Sequence, residues 1–304
     1  MTDTFLTADL DRVTGFTIPD RDARGRIVRL GPVLDTILGA HAYPPAIEAV
    51  LAEALTLTAL LGSLLKEAKG QLTLQAQTKG GAASLLVCDY LDGALRGYIQ
   101  YDAEELARLG DAPSLDGLLG VGHLAITFDQ IVSGERYQGI VPLDGTTVAA
   151  AAESYFLQSE QIPSLIRIGA RRDADGKHHA GGLFLQHLPE GEEGRERLHT
   201  RLDHPEWQHV EALAATVDAD ELTDPMLPLE TLVWRLFNEE REVLMHASTP
   251  LSRGCRCDAT YIGQVLAKFS AEDRAEMADE NGIISVDCAF CAISFPVPIA
   301  DVAA

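Results

Sequence analysis

The chain has 304 residues, with 46 acidic against 24 basic side chains, a net charge of −22 and 46% hydrophobic residues. That length holds one large domain or two domains with a substantial core. So acidic a balance excludes a nucleic-acid binder, which needs a basic face for phosphates, and an anionic membrane as partner; high charge also keeps a protein in solution when it must show apolar surface. The first forty residues hold a polar, strand-like start and then the segment Arg29–Leu38. Pro44 and Pro45 open a helix that runs to Lys66, with Ile47, Leu51, Ala54, Thr58, Leu61 and Leu65 forming one stripe at spacings of three and four.

After Gly70 the period changes to two. Leu72, Leu74 and Ala76 alternate with Thr73, Gln75 and Gln77, as in a half-buried strand. Ser84–Tyr90 and Arg96–Tyr101 predict two more strands joined by a turn at Leu91-Asp92-Gly93. His123–Phe128 and Tyr137–Val141 continue the pattern, and Ala149–Ser159 reads as a helix ending before Gln161-Ile162-Pro163. Leu165–Ile168 and Gly182–Leu188 are strand-like, around a turn at Asp173–Gly176. Without regular βαβ alternation the pattern is α+β, with a mixed or antiparallel sheet. Pro189–Arg201 is charged and carries two glycines, which marks a domain boundary.

Helices follow at His204–Val217 and Leu229–Glu240, interrupted by Pro205, Pro225 and Pro228. The segment needs a neighbour to pack on, and the C-terminal module is the expected one. The expected division is a core domain over 1–188, a mainly helical linker over 189–254, and a small zinc-binding domain over 255–304.

Four of the five cysteines fall in that last segment, as Cys255-x-Cys257 and Cys288-x-x-Cys291. Two close thiol pairs can hold a metal or can close into disulfides, but not both. Four thiolates make a tetrahedral zinc site. A module of about fifty residues is marginal without a staple, so metal binding and folding there are one equilibrium. A closed four-cysteine site is commonly structural. A C-x-C disulfide closes a tight, strained and easily reduced ring, which suits a reversible switch. Spacing alone leaves three disulfide connectivities open.

Several stretches together resemble the heat shock protein 33 family of redox-regulated bacterial chaperones. They are Tyr155-Phe-Leu-Gln-Ser-Glu-Gln-Ile-Pro163, Tyr137-Gln-Gly-Ile-Val-Pro142, Gly93-Ala-Leu-Arg-Gly-Tyr98, Ala180-Gly-Gly182 with Leu185-Gln186, and Leu232-Val-Trp-Arg-Leu-Phe237, in order before the four cysteines. The resemblance implies an ATP-independent holdase for thermally or oxidatively unfolded client proteins. It implies one Zn2+ on Cys255, Cys257, Cys288 and Cys291 in a reduced, monomeric, inactive form. Oxidation then forms Cys255–Cys257 and Cys288–Cys291, zinc is released, the linker loosens and an active homodimer forms. Trp234, Leu236 and Phe237 become candidate client-binding surface. One departure stands out: after Cys291 the chain runs Ala-Ile-Ser-Phe-Pro-Val-Pro298, and these prolines put the packing of the last strand in question.

Other readings are weaker. A zinc-ribbon regulatory protein with a purely structural zinc is the alternative. A thiol–disulfide oxidoreductase fits poorly, because no helix begins at Cys288-Ala-Phe-Cys291 to acidify a thiol. No G-x-S-x-G elbow or coherent acid, base and nucleophile set is present, so no enzyme is expected. Cys88 reads as a buried, inert thiol, and His178-His179 as a solvated pair beside a turn. With no signal-peptide pattern at the N-terminus and no run of about 18 apolar residues, a cytoplasmic protein without membrane partner is expected.

Overall fold

The computed structural model describes residues 10–65, 70–110, 113–130, 134–143, 147–188 and 203–302. Two compact units emerge, Met1–Arg253 and Gly254–Ala304.

In the first unit, β1 (Arg12–Ile18) and β2 (Ala23–Leu30) form an antiparallel hairpin. Next come α1 (Pro32–Leu38) and α2 (Pro45–Gly62), each with proline in its first turn, where the missing N–H costs nothing. The α2 stripe packs on strands of both sheets of the unit. Against the expectation of no such run, α2 is long and apolar enough by length and composition to cross a membrane; 72% of it is buried inside the unit.

The period-two segment becomes β3 (Gln71–Gly80), β4 (Ala83–Leu91) and β5 (Ala94–Tyr101). Asp92 and Gly93 both have positive φ (50° and 81°), the geometry of a tight hairpin turn. Two short helices missing from the sequence reading, α3 (Ala103–Leu109) and α4 (Leu115–Leu119), precede β6 (Gly120–Gln130) and β7 (Glu135–Pro142). The helix expected over 149–159 is α5 (Val148–Tyr155), capped by Thr147. It continues as a π-helical turn to Glu160 and stops at Gln161, whose φ is 56°. β8 (Ser164–Arg172) and β9 (His178–His187) complete the core strands.

The expected boundary at 189–201 lies outside the described residues. Beyond it run α6 (Pro205–Ala214), α7 (Ala219–Thr223) and α8 (Leu229–Phe237), then three two-residue strands, β10 (Leu244–Met245), β11 (Thr249–Pro250) and β12 (Ser252–Arg253). One sheet has the order β10-β1-β2-β9-β8, with β11 also on β1; the other is β12-β5-β4-β3-β6-β7. All pairs are antiparallel except β12 on β5. The helices pack on the first sheet of their own unit. Trp207, Val210, Leu229, Leu232 and Phe237 are buried against Phe16, Ile18, Ile27, Leu183 and Leu185, and the Phe16 and Phe237 rings lie 5.7 Å apart. A strongly apolar strand face supplies what those interrupted helices lack.

The second unit holds α9 (Ala259–Leu266), α10 (Ala271–Met277) and the hairpin β13 (Ile283–Asp287) and β14 (Ser294–Pro298). Its buried apolar cluster is Leu266, Ile284, Val297 and Val302. The prolines do not spoil the last strand. Bonds from Cys288 N to Ile293 O and from Ile299 N to Gly282 O bracket the hairpin ladder, and alternation puts Phe295 and Val297 at hydrogen-bonded positions. Pro296 and Pro298 take the positions between, where the backbone nitrogen faces away from β13.

Candidate metal centre

Two different local structures deliver the four thiols. Cys255 and Cys257 lie in the extended stretch that enters α9. Asp258 ends that stretch as the helix N-cap, its carboxylate accepting from Thr260 N at 2.8 Å. Its role is therefore capping, with no ligand position required of it. Cys288 and Cys291 sit in the turn between β13 and β14, where Cys288 O accepts from Cys291 N at 3.3 Å and Ala292 N at 2.8 Å. Ala292 closes the turn at φ 55°.

The sulfurs converge. Cys255 Sγ lies 3.2 Å from Cys257 Sγ and 3.6 Å from Cys288 Sγ, and Cys257 Sγ lies 3.5 Å from Cys291 Sγ. All four fall within 4.8 Å of one another, and all are free thiols. A zinc tetrahedron with Zn–S near 2.3 Å has S–S edges of about 3.8 Å, so the donor set fits such an ion in number, chemistry and spacing. These four residues form the one such cluster among the described residues.

Electrostatics point the same way. Desolvation opposes ionisation of Cys255, yet the N–H of Cys257 and the neighbouring thiols outweigh it and bring its pKa down to about 7. Burial and the adjoining Cys255 sulfur push Cys257 up, and burial pushes Cys291 up. One thiolate is thus easily made, while like charges this close resist a full set without a cation.

Elsewhere, Cys88 on β4 is fully buried, and desolvation drives its thiol well above the ordinary range. Trp234, Leu236 and Phe237 do not share an environment: Trp234 is 65% exposed, whereas Leu236 and Phe237 are buried in the folded state. His178 and His179 are not solvated; each side chain is about one-tenth exposed, with His178 Nδ1 at 2.9 Å from Asp35 and His179 Nε2 at 3.0 Å from Asp173. Sequence reading also misses Arg29, a fully buried arginine of β2. An arginine inside the apolar run Ile27-Val28-Arg29-Leu30 is the signal that could have found it.

The fold and site define a class: an α+β unit, covered by helices, followed by a small unit built on four clustered thiols. The chain belongs to the Hsp33 protein family, whose model matches residues 11–297, and a chaperone role comes with that membership. It is 40% identical over 287 residues to a 33 kDa chaperonin of Caulobacter vibrioides, covering 92% of each chain. It is 32% identical over 293 residues to a 33 kDa chaperonin of Yersinia pestis, covering 96% of this chain and 94% of the relative. The crystal structure of the Thermotoga maritima 33 kDa chaperonin, at 23% identity, superposes with a TM-score of 0.79 over 96% of both chains and supports the fold.

Proposed function

We propose that this chain is a redox-regulated, ATP-independent holdase of the cytoplasm, inactive and monomeric when reduced, active and dimeric when oxidised, which binds unfolding client proteins. The observation that carries the reading is the convergence of four thiol sulfurs within 4.8 Å in a unit whose buried core is only Leu266, Ile284, Val297 and Val302. A zinc ion, when bound by Cys255, Cys257, Cys288 and Cys291, supplies the positive charge that lets four thiolates coexist and ties the stretch before α9 to the turn between β13 and β14.

Each thiol pair gives two electrons and two protons to an oxidant such as a peroxide, which leaves as water while one S–S bond forms. The pairing Cys255–Cys257 and Cys288–Cys291 follows from the family resemblance; the sulfurs of Cys255 and Cys288 lie 3.6 Å apart and those of Cys257 and Cys291 3.5 Å, against 3.2 Å for Cys255 and Cys257. Once the thiolates are consumed the ligand set is gone, and a unit with so small a core unfolds.

That unfolding begins at Gly254, directly after β12. β12, β11 and β10 have two residues each, so fraying can proceed back to α8 at little cost. The linker helices then leave the first sheet, and Trp234, Leu236 and Phe237 join the client surface together with the sheet face that the helices covered.

The test is paired. Reduced and peroxide-treated protein is compared for metal content, free thiols and suppression of aggregation of a heat-unfolded client. The expected outcome is loss of zinc, loss of four thiols with Cys88 still reduced, and gain of holdase activity. Retention of zinc under oxidant, or its loss without holdase activity, overturns the reading in favour of a structural zinc. Peptide mapping of the oxidised protein decides the pairing.

A further inference from the structure

The polar contacts between α6–α8 and the rest of the first unit share a direction. Arg12 on β1 holds Glu230 with two bonds of 2.9 Å. Arg21, in the turn before β2, donates Nε to Glu240 at 2.7 Å and also pairs with Glu206. Arg29 on β2, fully buried, donates to the carbonyls of Leu222 at 2.9 Å, Leu227 at 2.5 Å and Glu221 at 3.1 Å. Arg171 on β8 reaches the Thr223 hydroxyl at 3.0 Å. In each case the guanidinium stands on the sheet side and the acceptor on the helices. Among the described residues the reverse sense occurs at Arg241 and Asp20, 4.0 Å apart and well exposed.

The charge of the segment matches. Residues 205–242 carry ten Asp and Glu against Arg235 and Arg241, in a chain whose net charge is −22. Uncovering the sheet face therefore reveals an apolar patch of Phe16, Ile18, Ile27, Leu183 and Leu185 bordered by arginines, opposite in sign to the protein as a whole.

We infer that this sheet face selects acidic amphipathic segments of its clients, and that α6–α8 occupy it in the folded state as an internal stand-in. The inference rests on the holdase reading and names the partner chemistry of its binding surface. Guanidinium forks bind carboxylates with two parallel bonds, a geometry lysine lacks. Arg29 adds discrimination of its own. A segment that covers it without offering acceptors leaves a buried charge unpaired, and a basic segment adds repulsion.

The experiment uses the oxidised full-length chain and a fluorescent peptide spanning residues 203–242, read by anisotropy. A second peptide carries Glu206→Lys, Glu230→Lys and Glu240→Lys. The native peptide is expected to bind about tenfold more tightly than the charge-reversed one, the combined effect of three partly exposed ion pairs, and the gap should shrink as salt rises. In the full-length Arg12→Gln/Arg171→Gln variant the native peptide should bind more weakly, while the reversed peptide loses nothing. Equal binding of the two peptides, or no binding of either, overturns the inference. Client aggregation is measured alongside. If the native peptide binds as expected but the oxidised protein suppresses no aggregation, the holdase reading fails and the recognition surface stands.

Discussion

The two units of this chain solve the folding problem in different ways. In the first, α2 is buried along most of its length and touches strands of both sheets. α6–α8 add a second cluster that includes the fully buried Trp207 and Phe237. In the second, four apolar side chains are clustered and buried, while Tyr261 on α9, Phe269 between the helices and Met277 on α10 are exposed. Apolar burial is the main stabilising force in a domain, so the first unit supports itself and the second depends on what joins its thiols. The redox role proposed above makes use of that imbalance: the unit with the thiols holds few buried side chains, and the unit that carries the sheets holds many.

The imbalance can be broken at its weak end first. Cys288→Ser removes one sulfur of the cluster. It should abolish tight zinc binding and forfeit on the order of 10 kcal/mol of metal-linked folding free energy. Amide NMR spectra should collapse for Gly254–Ala304 and stay dispersed for the strands of the first unit; an undisturbed second unit would refute the dependence. At the strong end, Trp207→Ala creates a cavity under α6 and should cost about 3–5 kcal/mol in denaturant unfolding. Its expected signature is helix release: protease cleavage within 203–242 in the reduced protein.

Acid probes the same docking more gently. Although desolvation works against it, hydrogen bonds from Arg21 and His209 hold Glu240 below the ordinary glutamate value. A depressed folded pKa stabilises above the unfolded value, and that stability fades as pH falls through the folded one. Wild-type stability should therefore fall more steeply than that of Glu240→Gln below about pH 5, as seen in pH-dependent denaturant midpoints. Parallel pH curves would show that the carboxylate does not anchor α6 and α8.

Smaller effects sharpen the contrast. Ala292→Gly relieves a positive φ in the thiol turn and should stabilise the second unit by about 1 kcal/mol, visible as slower zinc loss to a chelator. Trp234→Ala, on the exposed side of α8, should shift the stability of the reduced protein by no more than about 0.5 kcal/mol in the same denaturant unfolding that reads Trp207→Ala.

Periodic features were the legible ones. The α2 stripe, the alternation in β3 and the Asp92-Gly93 turn follow from local rules, and the cysteine pairs declare their chemistry by spacing. What escaped depends on partners far along the chain. β10, β11 and β12 are strands only because β1 and β5 offer them an edge, and two residues carry no period. α3 and α4 are too short to build a stripe. The apolar side of α8 announced a need for cover, but only the tertiary fold identifies the first sheet as that cover. The role of Arg29 rests on three carbonyl partners some 190 residues later, which no local pattern reveals.

The prolines of β14 have a consequence of their own. A two-stranded hairpin presents open edges, and an open edge invites any extended chain to join it. Pro296 and Pro298 remove two of the three outward donors from β14, so an incoming strand finds no N–H to receive its carbonyls at those two positions. In a member of a chaperone family, whose clients are unfolded chains, the folded second unit is thereby blunted along its β14 edge against being extended by such a chain.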